Sequence, residues 1–388
     1  MYRIRRLKIG QPHHRLLDQL ALECGRVYSQ TLICFWRTVR RKGIWLKPRH
    51  LMRWVNSDRL HAHTADACVQ AFFAALKSWR VRCQEDPQAK PPRRLRRYFR
   101  IEYKSSAIIH KDEVLRLSNG RNVAPLEIPW PWDTPKTVVI RWDGEQYEAI
   151  ATYVSPDPQP LPAGRPVGID LGEVHVAVTS DGLIVNGRYL RSLLRWRNKT
   201  IAVFQAKMDA KVKGSRRWRR LKQAKDKQLR RLDNQIRDVL HKATTGLVST
   251  LASAGVQTLV IGDVRDIRRD LDYGPTANQK LHQWPCGRTR WYLSYKAEAH
   301  GMRCVLQDEA YTSQTCPSCG RRKQVNGRVY RCSCGFVGHR DHVGAVNILS
   351  KYLGQVPVAG LMARPTGWRY QAHARVARGF ELREAARL

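Results

Sequence analysis

Acidic residues are scarce in this chain: 32 Asp and Glu stand against 70 Lys and Arg over 388 residues, a formal charge of +38. With a sequence pI of about 10.5, copies of the protein repel one another unless a polyanion neutralises them. Long apolar runs are also missing. No stretch approaches the roughly 18 to 20 residues of a spanning helix, and Met1-Tyr-Arg-Ile-Arg-Arg leads into no signal-peptide core. The expectation is no membrane partner and a cytoplasmic location. Repeats and low-complexity tracts are absent too, which excludes solenoids. What remains is a polyanion binder, and nucleic acid is the favoured ligand. A simple packing protein of ribosome or chromatin type needs neither 12 Trp nor 43% hydrophobic residues. A chain of this length buries real cores, in two or three domains.

Along the chain the pattern is α/β. Tyr2-Arg-Ile-Arg-Arg-Leu-Lys-Ile alternates as a basic strand, and Gly10-Gln-Pro ends it. A helical region follows, clearest where Cys68, Phe72, Leu76 and Trp79 recur at three- and four-residue spacing. Lys90-Pro-Pro-Arg-Arg-Leu-Arg-Arg-Tyr-Phe-Arg then mixes cations with aromatics, a composition suited to phosphates and base stacking or to a solvated linker. From about 101 to 154, short alternating segments with Asn-Gly and Asp-Gly turns predict antiparallel strands of a small β-barrel. Ser155-Pro-Asp-Pro-Gln-Pro-Leu-Pro is a stiffened linker and marks a domain boundary. Beyond it come a meander turning at Asp181-Gly182, a helical stretch from about 190 to 254, and two further strand–helix alternations. Lys211 to Arg231 holds eleven cations and one acid, Asp226. A solvated helix face normally mixes signs, so this one-sided run predicts a nucleic-acid-facing helical hairpin.

Six of the ten cysteines are scattered singly; the other four, Cys316, Cys319, Cys332 and Cys334, form two knuckles, each followed by glycine. That spacing predicts a tetrahedral Zn2+ site rather than a disulfide, and fits a reducing compartment. Four protein ligands leave no open position for water, so the zinc is structural and folds a segment too small for its own core. The second knuckle has one intervening residue instead of two, which leaves His339 as an alternative to Cys334.

Four acids stand where apolar runs end: Asp170 in Val167-Gly-Ile-Asp-Leu-Gly, Asp263 in Leu259-Val-Ile-Gly-Asp, Glu309 in Val305-Leu-Gln-Asp-Glu, and Asp341 in His339-Arg-Asp. Open α/β sheets bind ligands at strand C-termini. Two-metal phosphodiester cleavage needs at least three converging carboxylates around two Mg2+. Asp170 is the strongest candidate, because a surface acid has no reason to interrupt an apolar strand. Asp341 begins a helical run whose Val343, Val346 and Leu349 would pack on the sheet; an N-cap is its alternative role.

Gly168-Ile-Asp-Leu-Gly, the basic hairpin, Val260-Ile-Gly-Asp-Val, the Tyr311-Thr-Ser-Gln-Thr-Cys-Pro-Ser-Cys-Gly string and His339-Arg-Asp-His-Val-Gly-Ala-Val-Asn-Ile-Leu together resemble the TnpB family, transposon-encoded RNA-guided nucleases related to type V CRISPR effectors. The likeness is close over about 160 to 352 and holds only in plan before it. It implies an RNase H-like RuvC nuclease domain at 161–310 and 338–352 with a zinc ribbon inserted at 311–337. It further implies a wedge-like barrel at 1–10 and 96–160, a helical recognition insert at 11–95, and a basic tail at 353–388 that binds RNA or is disordered. The commonest family pattern has a glutamate after the second apolar strand, where this chain has Gly262 and Asp263. A relocated glutamate ahead of the zinc ribbon, as in some members, would be Glu309. The implied metal set is therefore Asp170, Glu309 and Asp341, with Asp263 in reserve. The implied function is a Mg2+-dependent DNA endonuclease that pairs a structured guide RNA with target DNA. Its rivals are a catalytically silent RNA-guided DNA-binding protein and a guide-free transposase or resolvase. Nothing in the sequence sets the oligomeric state.

Overall fold

The computed structural model describes residues 2–93, 98–162, 164–265, 272–325 and 327–354, together with the backbone of 366–370 and 380–384. The chain divides into two compact units, Met1–Pro156 and Asp157–Leu388.

In the first unit, strand β1 (Tyr2–Ile9) leads into helices α1 (His14–Lys42), α2 (Pro48–Trp54) and α3 (Ala62–Glu85), followed by strands β2 (Ile101–Lys104), β3 (Ile108–Lys111), β4 (Val114–Leu117), β5 (Leu126–Pro129), β6 (Thr137–Trp142) and β7 (Tyr147–Val154). Helix α1 stops where Gly43 adopts φ 65°, a left-handed cap, after Arg40, Arg41 and Lys42 have met the carbonyl end of the dipole. Cys68, Phe72 and Leu76 bury one stripe of α3 while Trp79 packs at its margin. Phe35 of α1 meets Phe72 edge to face, ring centroids 5.2 Å apart. The expected closed barrel is not what forms. Among the described residues, β1-β7-β6-β2 make one open antiparallel sheet and β3-β4-β5 a separate meander. Alternation and tight turns specify hairpins, but closure needs more strands than four, with enough tilt and stagger to bring the edges together. The cationic Lys90 to Arg100 stretch falls partly outside the described residues.

The second unit contains β8 (Arg165–Asp170), β9 (His175–Thr179), β10 (Leu183–Asn186), α4 (Arg188–Asp209), α5 (Arg216–Ser253), β11 (Val256–Gly262), α6 (Pro275–Gln283), α7 (Cys286–Ala299), β12 (Arg303–Gln307), β13 (Val329–Arg331), β14 (Val337–His339), α8 (Arg340–Leu353), β15 (Thr366–Tyr370) and β16 (Phe380–Glu384). One seven-stranded sheet runs β12-β11-β8-β9-β10-β15-β16. Antiparallel pairing joins β8 to β9 and β9 to β10, whereas β11 runs parallel to both β8 and β12. Every residue of β9 is buried, and β11 is buried in all but one, as expected of strands covered on both faces. In the tail, expected to bind RNA or be disordered, β15 pairs parallel to β10 and β16 antiparallel to β15. Beyond Gly354, its other residues lie outside the described ones.

Helix α8 lies against β8 at Gly168, where a Cβ would come within 2.2 Å of the Ala345 carbonyl oxygen and 2.9 Å of the Leu349 Cβ. Backbone on one side and a side-chain root on the other leave nothing that can swing away. Gly168→Ala should therefore destabilise the protein by at least about 3 kcal/mol in urea or thermal unfolding. Gly287→Ala, at an exposed α7 position with nothing within 4 Å of the new Cβ, should be neutral or stabilising by up to about 1 kcal/mol. Equal effects of the two changes would refute the close approach.

Candidate active site

Asp170 is the last residue of β8, Asp341 lies in the first turn of α8, and Glu309 stands two residues beyond β12. Two glycines let them meet. A Cβ on Gly344 would stand 3.1 Å from Asp170 Oδ2, and one on Gly262, at the end of β11, 2.7 Å from Glu309 Oε2. Asp341 and Gly344, three apart on α8, share a face, which brings Asp341 toward Asp170. Electrostatics report the same convergence. Burial raises the Asp170 carboxyl well above the usual carboxylate range, and the nearby Asp341 and Glu309 charges push it further. Burial, with the Asp263 and Asp308 charges, holds Glu309 at about 7.

Asp341 behaves differently. Burial alone would raise it, but the hydrogen bond from His175 and the charges of His339, His175 and Arg328 outweigh burial and hold it low. His175 Nδ1 lies 2.8 Å from Asp341 Oδ2, and Arg328 Nη1 donates to the same oxygen at 3.1 Å. Asp341 is not the cap of α8; His339 occupies that position. Asp263 sits just past β11, and its carboxylate accepts from Arg265 Nε at 2.7 Å and Arg290 Nη1 at 3.4 Å. Arg265 is the main reason that its carboxyl stays low. Two guanidiniums thus already satisfy Asp263, whereas for Asp170 burial and the neighbouring acids outweigh the one cation that lowers it, Arg340.

Helix α8 organises the rest. Its buried Asn347 donates to the carbonyls of Thr312 (2.6 Å) and Thr315 (2.8 Å), and His342 Nε2 meets the Ser180 carbonyl at 3.0 Å. Lys351 clamps Asp308 Oδ2 (3.1 Å) and the Ala310 carbonyl (2.7 Å), fixing the segment that carries Glu309. Val343 does not pack on the sheet as expected; it joins Cys316 and Tyr330 in a small separate core. Leu349 does face β8, at Gly168. The sequence reading passed over His175, Asn347, His342 and Gly344. A polar residue inside an apolar run, as in His175-Val-Ala-Val or Val346-Asn-Ile-Leu, was the available signal.

The four thiols of Cys316, Cys319, Cys332 and Cys334 converge, with Sγ atoms 3.7 Å apart for Cys316 and Cys334 and 3.5 Å for Cys319 and Cys332. Zinc–sulfur bonds of about 2.3 Å put tetrahedral ligand pairs about 3.8 Å apart, so the set fits the ion. Cys334 belongs to this group, and His339 to a different one. The Cys334 backbone amide is the main cause that draws the Cys332 thiol down to about 6, favouring the thiolate that a metal requires.

Raised carboxyls make a pH prediction. The fold prefers neutral Glu309, held at about 7 against an ordinary 4.5. That contribution is complete below pH 4.5 and disappears as pH rises through 7. In magnesium-free buffer, Glu309→Gln should therefore gain about 1 to 2 kcal/mol over the parent at pH 8, and nothing at pH 4.5. Melting temperatures of the two proteins across that range measure the difference; a gap that does not change with pH would contradict it.

The mixed α/β architecture has a counterpart among solved structures. The Cas12f1–sgRNA–target DNA complex matches at a TM-score of 0.58 and 12% identity, over 88% of this chain and 83% of that one. Residues 149–268 match the OrfB_IS605 family, described as a probable transposase, and residues 287–348 the Cas12f1-like TNB domain. "Putative RNA-guided DNA endonuclease InsQ" of Escherichia coli K12 is 27% identical over 219 residues, 53% of this chain and 54% of that protein. A "Putative transposase" of Methanocaldococcus jannaschii is 31% identical over 88 residues, 20% of this chain and 81% of that protein. The chain belongs to the TnpB family. Its match spans about half of InsQ, 54%.

Proposed function

We propose that the protein is an RNA-guided DNA endonuclease whose second unit is a RuvC-like nuclease domain. The strand arrangement supports this: an antiparallel β10-β9-β8 meander continuing into parallel β11 and β12 is the RNase H-like order. The observation that carries the reading is geometric: Asp170 comes against α8 at Gly344, one turn from Asp341, and Glu309 comes against the end of β11 at Gly262, with the Asp341 and Glu309 charges both raising Asp170. Like-charged carboxylates held close in a buried site are relieved either by a shared proton or by a bound cation. Their oxygen-only donor set fits hard divalent ions, and Asp170, Glu309 and Asp341 would hold two Mg2+. When bound, the ions supply activation of water and stabilisation of the leaving oxygen. The protein's own part is positional. Strand β8 presents Asp170, α8 presents Asp341, and the Lys351 and Asn347 clamps fix the approach to Glu309. Arg328 and Arg340, beside Asp341, offer cations to the phosphate of an entering strand.

The four cysteines would hold structural zinc in a ribbon at 311–337. Lys211 to Arg231, at the junction and start of the α4–α5 hairpin, would bind nucleic-acid backbone, with the first unit as a wedge-like and recognition module. Among the described residues no helix is long and apolar enough to cross a membrane; free thiols suit a reducing, cytoplasmic setting.

The test is to purify the full chain, sequence the RNA that accompanies it, and challenge the complex with matching and mismatched DNA in Mg2+. Cleavage of matching DNA alone, with binding that weakens steeply in salt, is the expected result. Guide-dependent binding without cutting would make it a silent binder. Activity without RNA would make it a guide-free transposase or resolvase.

A further inference from the structure

Two histidines beside the carboxylates do no more in the reaction as proposed than help to hold Asp341 ionised. His175, the first residue of β9, is 1% exposed, and its Nδ1 lies 2.8 Å from Asp341 Oδ2. His339 stands at the junction of β14 and α8, its ring centroid 5.1 Å from that of His175. Both of its ring nitrogens are buried without a hydrogen-bond partner among the described residues. Nor does its side chain cap α8. An imidazole buried in this way forfeits about 1 to 3 kcal/mol for each unsatisfied nitrogen, a cost that a structural role does not require, since asparagine would cap the helix.

One donor atom from each of His175, His339 and Asp341 lies within 4.8 Å of the other two. Ions with bonds of about 2.1 Å place adjacent ligand atoms about 3 Å apart and opposite ones about 4.2 Å apart. The His175 and Asp341 donors, 2.8 Å apart, already have ligand spacing, and His339 offers a third donor within 4.8 Å of both, close enough for small side-chain movements to bring all three onto one ion, with donor chemistry unlike that of the oxygen-only cluster. Imidazole nitrogen favours borderline transition ions, whereas Mg2+ prefers carboxylates, water and phosphate. Arg328 contacts the same Asp341 oxygen at 3.1 Å, but its side chain is 40% exposed and long enough to withdraw toward solvent.

We propose that His175, His339 and Asp341 form a further cation site that takes a divalent transition ion of the Fe2+ to Zn2+ kind, and Mn2+ as its spectroscopic probe, in preference to Mg2+. Asp341 is shared with the proposed magnesium pair, so any effect of this site on cleavage rests on the endonuclease reading; binding itself does not.

The experiment uses the full chain with its cysteine site filled with zinc, dialysed free of magnesium, and titrated with MnCl2 while the paramagnetic resonance of free Mn2+ is followed. A parallel calorimetric titration uses MgCl2. His339→Asn, which keeps a capping side chain on α8, should weaken one Mn2+ site by about 10- to 100-fold and leave the Mg2+ isotherm within about twofold of the parent; His175→Asn, which also removes the hydrogen bond to Asp341, should weaken that Mn2+ site by more than it weakens Mg2+ binding. Asp170→Ala should weaken Mg2+ and spare that Mn2+ site. Retained Mg2+ binding by the histidine variants shows that they are folded. A Mn2+ isotherm in His339→Asn that overlays the parent overturns the proposal. So does equal loss of Mn2+ and Mg2+, which would make the histidines mere supports of Asp341. If Asp170→Ala leaves Mg2+ binding untouched, the endonuclease reading fails while the histidine site stands.

Discussion

Asp170→Ala lowers the rate of guide-directed DNA cleavage by at least about 10³-fold and leaves guide and target binding within about twofold of the parent. Single-turnover cleavage and filter binding at matched salt measure the two effects. The size follows from what the side chain does. Asp170 feels the charges of both Asp341 and Glu309, so its removal takes away the carboxylate that the proposed metal set shares, and about 4 kcal/mol of transition-state stabilisation corresponds to that factor. The binding surface proposed for nucleic acid lies elsewhere, on the cationic Lys211 to Arg231 run, so affinity should not follow activity. Asp263→Ala is the control. Its carboxylate is occupied by Arg265 and Arg290, and its loss should cost less than about tenfold. If Asp263→Ala abolishes cutting while Asp170→Ala spares it, the cluster has been assigned to the wrong acids. Loss of binding together with cleavage in Asp170→Ala would make Asp170 a structural residue.

Much of this pocket was legible from local chemistry. An acid that ends an apolar strand, Asp170, and one that opens an amphipathic helix, Asp341, both break a pattern that the sequence displays. The cysteine knuckles were legible through their spacing, although only the three-dimensional grouping assigns Cys334 rather than His339. What escaped depends on tertiary contact. Gly344 and Gly262 look like ordinary helix and strand glycines; their meaning lies in carboxylates supplied by segments far away in the chain. His175 sits in a strand buried throughout, where one polar residue among valines looks like an interruption. The barrel expected in the first unit failed for a related reason. Asn-Gly and Asp-Gly turns determine which neighbours pair locally, whereas closure depends on strand number and stagger.

The proposed relocation of the third acid from the end of β11 to the segment after β12 makes the sharpest test of the pocket's geometry. Glu309→Ala should reduce cleavage by at least about 10³-fold, like Asp170→Ala. Gly262 ends β11, and a Cβ there would stand 2.7 Å from the Glu309 Oε2 position and 2.9 Å from Ile348 Cδ1. A side chain at 262 and the Glu309 carboxylate therefore claim the same volume. In the parent background Gly262→Asp should be damaging, because two carboxylates cannot share that space. In the Glu309→Ala background the vacated room accepts the new acid, and Gly262→Asp should recover about 10- to 100-fold of the lost rate. Gly262→Asn, equal in shape but neutral, should recover nothing. Harm from Gly262→Asp alone and rescue by it in combination is a sign reversal that only spatial equivalence of the two positions produces. Additive losses would instead mean that position 262 cannot stand in for Glu309, and that the chain's departure at Gly262-Asp263 is not a relocation of the same ligand.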